Sequence, residues 1–270
     1  MKRTCLIVLV LGCAVLLYGH STALAQLSSF AVLGGSTVTN TATPTIVNGN
    51  LGVSPGSAVT GFPPGVVIGG TIHAADAVAA QAQSDLTTTY NNLAGAACNT
   101  DLTGQDLGGK TLTAGVYCFS TSAQLTGTLT LDAQGNPNAV FVFKIGSTLT
   151  TASASSVLLI NGGSSCGVFW QVGSSATLGT GTALLGSIVA LTSITLNTGA
   201  SVSGRVLARN GAVTLDDSNV AVCSGGLTGG SGPIFPTFSA AIPTLSEWAT
   251  IVMTVVLLLS ALAVLRRRAA

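Results

Sequence analysis

Short stretches of alternating apolar and polar residues fill the second half of the chain, and four of them resemble one another. They read TLTTA from Thr148, TLGTG from Thr177, TLNTG from Thr195 and TLDDS from Thr214. The first threonines are 29, 18 and 19 residues apart. Two of these intervals suit one coil of a β-solenoid, and the longer one suits a coil with an inserted loop. Successive side chains of a strand face opposite sides. The alternation therefore predicts an outward column of Thr148, Thr177, Thr195 and Thr214, with Leu149, Leu178, Leu196 and Leu215 stacked inward. Asp216 and Asp217 are expected to cap the last rung. Strands are predicted over 116–120, 125–131, 139–145, 148–151, 157–160, 168–172, 184–191 and 202–208. Turns at Gly135-Asn136-Pro137, Asn161-Gly162-Gly163 and Asn210-Gly211 separate several of them. Residues 30–70, punctuated by Asn48-Gly49, Ser54-Pro55-Gly56 and Pro63-Pro64-Gly65, predict further coils that join the later ones in space. The β region is thus expected to be discontinuous in sequence.

One stretch has a different period. Residues 72–93 are alanine-rich and free of proline, and Gly95 suits a helix end. Ala75, Val78, Ala79, Ala82, Leu86 and Tyr90 recur at helical spacing as a thin apolar stripe. Such a helix has the length to lie along six or seven stacked coils and cover one face.

Composition narrows the class. Only 6% of the 270 residues are charged, and 34 are glycine, which fits an all-β repeat protein whose turns consume glycine. Between residues 26 and 240 stand four basic residues (Lys110, Lys144, Arg205, Arg209) against seven aspartates, a net of −3. No basic patch exists there to favour nucleic acid. Lys2 and Arg3, the apolar run 6–17 and Ala23-Leu24-Ala25 read as a secretory signal peptide over 1–25. Its removal leaves Cys98, Cys118, Cys166 and Cys223, an even number that suggests two disulfides in an exported protein. Three pairings are possible; Cys98–Cys118 with Cys166–Cys223 is preferred, because it closes one short loop and ties the insertion to the end of the last coil. The cysteine spacing does not suit zinc, and no cofactor is expected.

No catalytic constellation can be assembled, with one histidine after the signal and aspartates scattered through turns. His73 reads as a helix-start residue, Lys144 as a solvated strand residue and Trp170 as core packing. What is distinctive is the flat, uncharged threonine surface, although such a strand face is also common as plain structure.

At the other end, 224–241 is a Gly/Ser/Pro linker. Residues 242–270 comprise Ile242, Pro243, Thr244, Leu245, Ser246, Glu247 and Trp248, an apolar run over 249–265, and Arg266-Arg267-Arg268. The run is just long enough for a transmembrane helix, and the arginines place the C-terminus on the cytoplasmic side. This segment resembles the IPTL-CTERM sorting signals of Gram-negative bacteria. That resemblance implies recognition by an exosortase-type membrane protease, transient residence in the inner membrane, and a final place at the cell surface or outside the cell.

Residues 30–223 resemble the ice-binding-protein-like family. The resemblance rests on FAVLGGSTVTNT, GNLGVSPG, the helix after IGGTIHAAD, DLTGQDLGGKTLTAGVYCF, NAVFVFKIGSTLTTASAS and the stretch from VFWQVGSSATLG to AVTLD. It implies a discontinuous, roughly triangular right-handed β-solenoid over 26–223 with one long helix along it. It also implies ice binding through a flat face; the domain is expected to be monomeric. Some members repeat Thr-Ala/Gly-x-Thr/Asn. Thr126-Gly127, Thr151-Ala152, Thr180-Gly181 and Thr198-Gly199 match its first half, whereas Leu129, Ala154, Ala183 and Ser201 depart from the fourth position. Thr148, Thr150, Thr177, Thr180, Thr195, Thr198 and Thr214 are the candidate ice-binding residues, with weak to moderate activity expected. The alternative is a non-catalytic structural or adhesive surface protein of the same fold.

Overall fold

The computed structural model describes residues 27–41 and 44–223. The signal peptide, the linker, the sorting motif and the apolar run 249–265 lie outside the described residues. Among the described residues, no helix is long and apolar enough to cross a membrane.

The chain begins with two coils of three strands each. These are β1 (Phe30–Gly34), β2 (Thr37–Asn40) and β3 (Ile46–Asn48), then β4 (Asn50–Val53), β5 (Ala58–Thr60) and β6 (Val66–Ile68). Strand β7 (Ile72–Ala74) leads into helix α1 (Ala77–Gly95). Beyond the helix come β8 (Thr100–Asp101) and β9 (Thr111–Thr113), followed by five complete coils. Their strands are β10 (Gly115–Phe119), β11 (Ala123–Leu125) and β12 (Thr128–Asp132); β13 (Phe141–Ile145), β14 (Leu149–Thr151) and β15 (Ser156–Ile160); β16 (Val168–Val172), β17 (Ala176–Leu178) and β18 (Ala183–Leu185); β19 (Ser187–Ala190), β20 (Ile194–Leu196) and β21 (Ser201–Ser203); and β22 (Val206–Ala208), β23 (Val213–Leu215) and β24 (Asn219–Ala221).

Every coil contributes one strand to each of three parallel sheets, which gives the solenoid its triangular section. Sheet A runs β7-β4-β1-β22-β19-β16-β13-β10-β8, sheet B runs β11-β14-β17-β20-β23-β2-β5, and sheet C runs β6-β3-β24-β21-β18-β15-β12-β9. The N-terminal coils stack on the C-terminal one through β1–β22, β2–β23 and β3–β24, so the discontinuity expected from sequence is present. For the same reason Asp216 and Asp217 do not cap the stack, because β2 and β5 extend sheet B beyond their rung.

Three runs expected as single strands are divided by corners. Residues 125–131 turn at Gly127, 184–191 at Gly186 and 202–208 at Gly204. At Gly186 φ is +102°, and a Cβ there would lie 2.5 Å from the Val168 carbonyl oxygen, so a single glycine bends the chain between sheets C and A. The long coil carries its extra residues at 161–167, where Cys166 bonds Cys223; Cys98 bonds Cys118. The preferred pairing is the observed one.

The interior is stacked by rung. Tyr117, Phe143 and Trp170 share one column, with ring centroids 5.6 and 4.0 Å apart, and Ile188, Val206 and Val32 continue it. Trp170 is fully buried, and its Nε1–H donates to the Leu185 carbonyl at 2.9 Å.

The central strands of sheet A are buried on both faces, and β1 (FAVLG) and β16 (VFWQV) are accordingly apolar along nearly their whole length. Helix α1 covers the outer face, burying Ala79, Ala82, Leu86, Tyr90 and Leu93. It starts later than the sequence predicts. Residues 72–74 pair as a strand, Ala75 is exposed with φ +54°, and Asp76 is the N-cap, accepting from the Ala79 N–H at 2.8 Å. His73 Nδ1 lies 2.7 Å from Asp76 Oδ2. The Ala79 N–H and then His73 hold the Asp76 carboxyl below its ordinary range. At the far end Lys144 is not merely solvated: its ammonium donates to the Ala96 carbonyl at 3.2 Å, a cation at the negative end of the helix.

Candidate functional face

Most of sheet A is covered by the helix, which leaves the outer faces of sheets B and C as the broad open surfaces. On sheet B each short strand reads inward-outward-inward: Ala-Thr-Leu in β17, Ile-Thr-Leu in β20 and Val-Thr-Leu in β23. The pairing register places Gln124, Thr150, Thr177, Thr195, Thr214, Thr39 and Thr60 in one outward column across all seven strands. Adjacent rungs lie about 4.8 Å apart, so the six threonines span about 24 Å. No charged side chain stands in the column. Thr60 Oγ1 donates to Thr39 Oγ1 at 3.2 Å; among the described residues, the hydroxyls of Thr150, Thr177, Thr195 and Thr214 make no such bond and face solvent. A β-branched side chain is stiff at χ1, so the column presents methyl and hydroxyl groups in a fixed, repeating arrangement.

The register corrects the sequence-derived column at its first member. Thr150, not Thr148, aligns with Thr177, and Leu149 pairs with Ala176 rather than with Leu178. Thr148 belongs to the next outward row, where its Oγ1 donates to Ser122 Oγ at 2.8 Å. Thr151 faces inward and is 3% exposed, bonding Thr182 Oγ1 at 2.8 Å and accepting from the Gly179 N–H at 2.9 Å. Its partnered hydroxyl makes burial tolerable.

Thr180 and Thr198 are not on the flat face. They stand at the corner between sheets B and C, before Gly181 and Gly199, whose φ values are +66° and +74°. Thr198 Oγ1 donates to Asp216 Oδ2 at 2.5 Å, and Thr126 Oγ1 donates to Asp106 Oδ2 at 2.7 Å. Asp216 and Asp106 are therefore tied into the corner. Burial pulls the Asp106 carboxyl upward, but the Gly108 N–H and the Thr126 hydroxyl and N–H outweigh it and leave it below its ordinary range.

Thr39, Thr60 and Gln124 were not among the residues expected from sequence. The signal for Thr39 was Val38-Thr39-Asn40, which matches the apolar-Thr-x triplets of the later coils; Ala58-Val59-Thr60 departs from that pattern and gives little away. Sheet C lacks this regularity. Its outer surface mixes Thr111 and Thr130 with Leu158, Ile46, Val66 and Ile68, four aliphatic side chains between 41% and 51% exposed.

The Ice-binding-like family model matches residues 32–221, and the IPTL-CTERM motif matches residues 240–269. An ice-binding protein of Nostoc sp. (strain HG1) is 63% identical over 194 residues, covering 72% of this chain and 71% of that protein. An ice-binding protein of Colwellia sp. is 30% identical over 215 residues, covering 74% and 83%. Among solved structures, an ice-binding protein from an Antarctic biological consortium superposes with a TM-score of 0.71 at 45% identity, covering 74% of this chain and 90% of that one. The ice-binding protein of the Antarctic ascomycete Antarctomyces psychrotrophicus gives 0.71 at 42% identity, covering 74% and 97%. With the family model spanning nearly the whole described solenoid, the chain belongs to the ice-binding-like family and ends in an IPTL-CTERM sorting motif.

Proposed function

We propose that this protein adsorbs to ice through the outer face of sheet B. The observation that carries the proposal is the uncharged column Thr150, Thr177, Thr195, Thr214, Thr39 and Thr60, repeated at about 4.8 Å by the parallel ladder. Water on such a surface meets a methyl and a hydroxyl at every rung, so a hydrogen-bonded layer can take up the rung repeat with little further loss of side-chain entropy. That repeat is close to the shortest repeat of hexagonal ice. Thr148 and the neighbouring Ser122 widen the contact, while Thr180 and Thr198 border it. The non-catalytic matrix alternative is not favoured, because the relatives that match over most of the solenoid are ice-binding proteins.

The remaining parts of the chain serve delivery. Residues 1–25 direct export, the domain 26–223 works as a right-handed monomeric solenoid, and 224–241 spaces it from 242–270. The apolar run 249–265 holds the chain in the inner membrane until an exosortase-type protease acts on the sorting signal, leaving the product at the cell surface or outside the cell. The IPTL-CTERM match and the family's ice-binding relatives support this route.

Ice recrystallisation inhibition by residues 26–240, prepared with both disulfides, tests the reading. Inhibition at micromolar protein with weak to moderate thermal hysteresis is expected. A folded domain that leaves crystal growth unchanged would return the matrix alternative.

A further inference from the structure

Helix α1 is about 28 Å long, whereas the nine strands of sheet A span about 38 Å, so the helix cannot cover the whole sheet. Beside its C-terminal half lies a groove of about 560 Å³, lined among others by Tyr90, Ala94, Ser120, Lys144, Gly146 and Gln171. That volume is within the range of ligand sites.

Its floor is ordered by the ladder. Asp101, Cys118, Lys144 and Gln171 are consecutive partners across β8, β10, β13 and β16, so they form one row at rung spacing. Two residues further along the strands, Ser120, Gly146 and Gly173 form a parallel row of small residues. Tyr90 makes an aromatic wall, and the Arg209 guanidinium lies 4.9 Å from its ring centroid. Gln171 points the same way. It is 4% exposed, yet among the described residues its amide has no hydrogen-bond partner, and it lines the groove. Its amide atoms are not among the fully enclosed unpartnered ones, so they open to the groove, where a ligand can take them up in place of solvent.

We propose that this groove binds a short, neutral, extended oligosaccharide. The row offers a carboxylate acceptor, an ammonium donor and an amide that both donates and accepts, which suits ligands whose every unit carries hydroxyls. One negative and one positive side chain leave no net charge to select an ion. The repeat decides between extended ligands. A β-1,4-linked pyranose chain advances by close to one rung per sugar, whereas an extended peptide advances about 3.3 Å per residue and falls out of step with rungs about 4.8 Å apart. The small-residue row leaves room for the sugar rings, and Tyr90 packs against one of them. Such a site, on a different face from sheet B, would let one protein hold a surface glycan and ice together.

The test is calorimetric titration of the full-length chain, in a polyoxyethylene detergent that contributes no sugar, with cellotetraose and chitotetraose. Binding of at least one with a Kd of about 1 mM or tighter is expected. Gln171→Leu should weaken it about 10-fold or more without lowering Tm, and Ala94→Trp, which fills the groove from the helix side, should abolish it. Absence of binding by both tetrasaccharides overturns the proposal. So does equal binding of maltotetraose, whose α-linked chain does not keep the rung repeat, or binding that both variants leave unchanged. Variant-sensitive binding of trialanine without either tetrasaccharide would also overturn it and make this a peptide groove.

Discussion

A tyrosine in the centre of the sheet B column should uncouple ice adsorption from folding. Thr177 and Thr195 are adjacent partners near the middle of the six-threonine row, and their side chains point away from the core. Ice is not an apolar phase, so the apolar-transfer value of about 0.8 kcal/mol for each of the six threonine methyl groups is a ceiling, and the row contributes at most about 5 kcal/mol. Two tyrosine rings standing above the plane keep a flat crystal from the neighbouring rungs as well, so at least half of that contact is lost. A loss of about 2.5 kcal/mol is a roughly 60-fold weaker adsorption equilibrium. Tyrosine suits an exposed strand position, and the inward neighbours Ala176, Leu178, Ile194 and Leu196 are untouched, so Tm should move little. The assay is recrystallisation inhibition over a dilution series, with Tm measured on the same samples. The register adds a sharper comparison: Thr150→Tyr should impair activity more than Thr148→Tyr, although both lie on β14 or its edge. Thr60→Tyr, remote in sequence but two rungs beyond Thr214, should also impair it. A folded Thr177→Tyr/Thr195→Tyr protein with parental inhibition would refute the assignment of sheet B.

Three further outcomes concern what holds the solenoid. Trp170→Ala removes the most closely stacked ring of the inner column and should cost about 3–5 kcal/mol in denaturant unfolding; a loss below about 1 kcal/mol would mean that this column is not a continuous packed unit. Removing the Cys166–Cys223 bond with a double alanine variant opens a loop with a sequence separation of 57, worth about 4 kcal/mol from unfolded-chain entropy, so Tm should fall by roughly 10 °C or more; an unchanged Tm would contradict a constraining role. Asp85 is buried on the inner side of α1, with Oδ2 unpartnered, and burial raises its pKa against the hydrogen bond from Gln81. A carboxyl raised in the folded state stabilises below its unfolded pKa and loses that contribution as pH rises through the folded value. Asp85→Asn should therefore raise Tm at pH 7 and much less at pH 3; an equal change at both would refute the buried-carboxylate argument.

The solenoid and its helix were legible because both patterns are local. Short alternating runs between glycine turns can form only short strands, and the alanine-rich run from Ala77 can form only a helix thin enough to lie against a sheet. Corners were less legible. In the run from Ala183 to Ala190 only Gly186 and Ser187 interrupt the apolar residues, since β19 is buried on both faces and needs no alternation. Only the approach of the Gly186 backbone to Val168, a contact between neighbouring coils, turns that run into two strands.

The Thr148 displacement shows the same limit at the site. Aligning the segments on the pair Thr-Leu treats identity as register, but a rung is defined by which side chains face inward. In β14 the inward positions are Leu149 and Thr151, so the triplet Leu-Thr-Thr matches Ala-Thr-Leu in β17. Thr151 can occupy a core position because Thr182 and the Gly179 N–H, one coil away, satisfy its hydroxyl. Without those partners an inward threonine would be costly, and the Thr-Leu alignment would have been the better one. The same reasoning explains why the column is longer than the visible repeat. Thr39 and Thr60 join it through β23–β2 pairing between residues about 175 apart in sequence, which no local pattern encodes but which the helix makes possible by returning the chain to the other end of the stack. The breadth of the face thus depends on the helix as much as on the threonines: an insertion that lengthened α1 would leave every Thr triplet intact yet strain the junction on which the last two rungs depend.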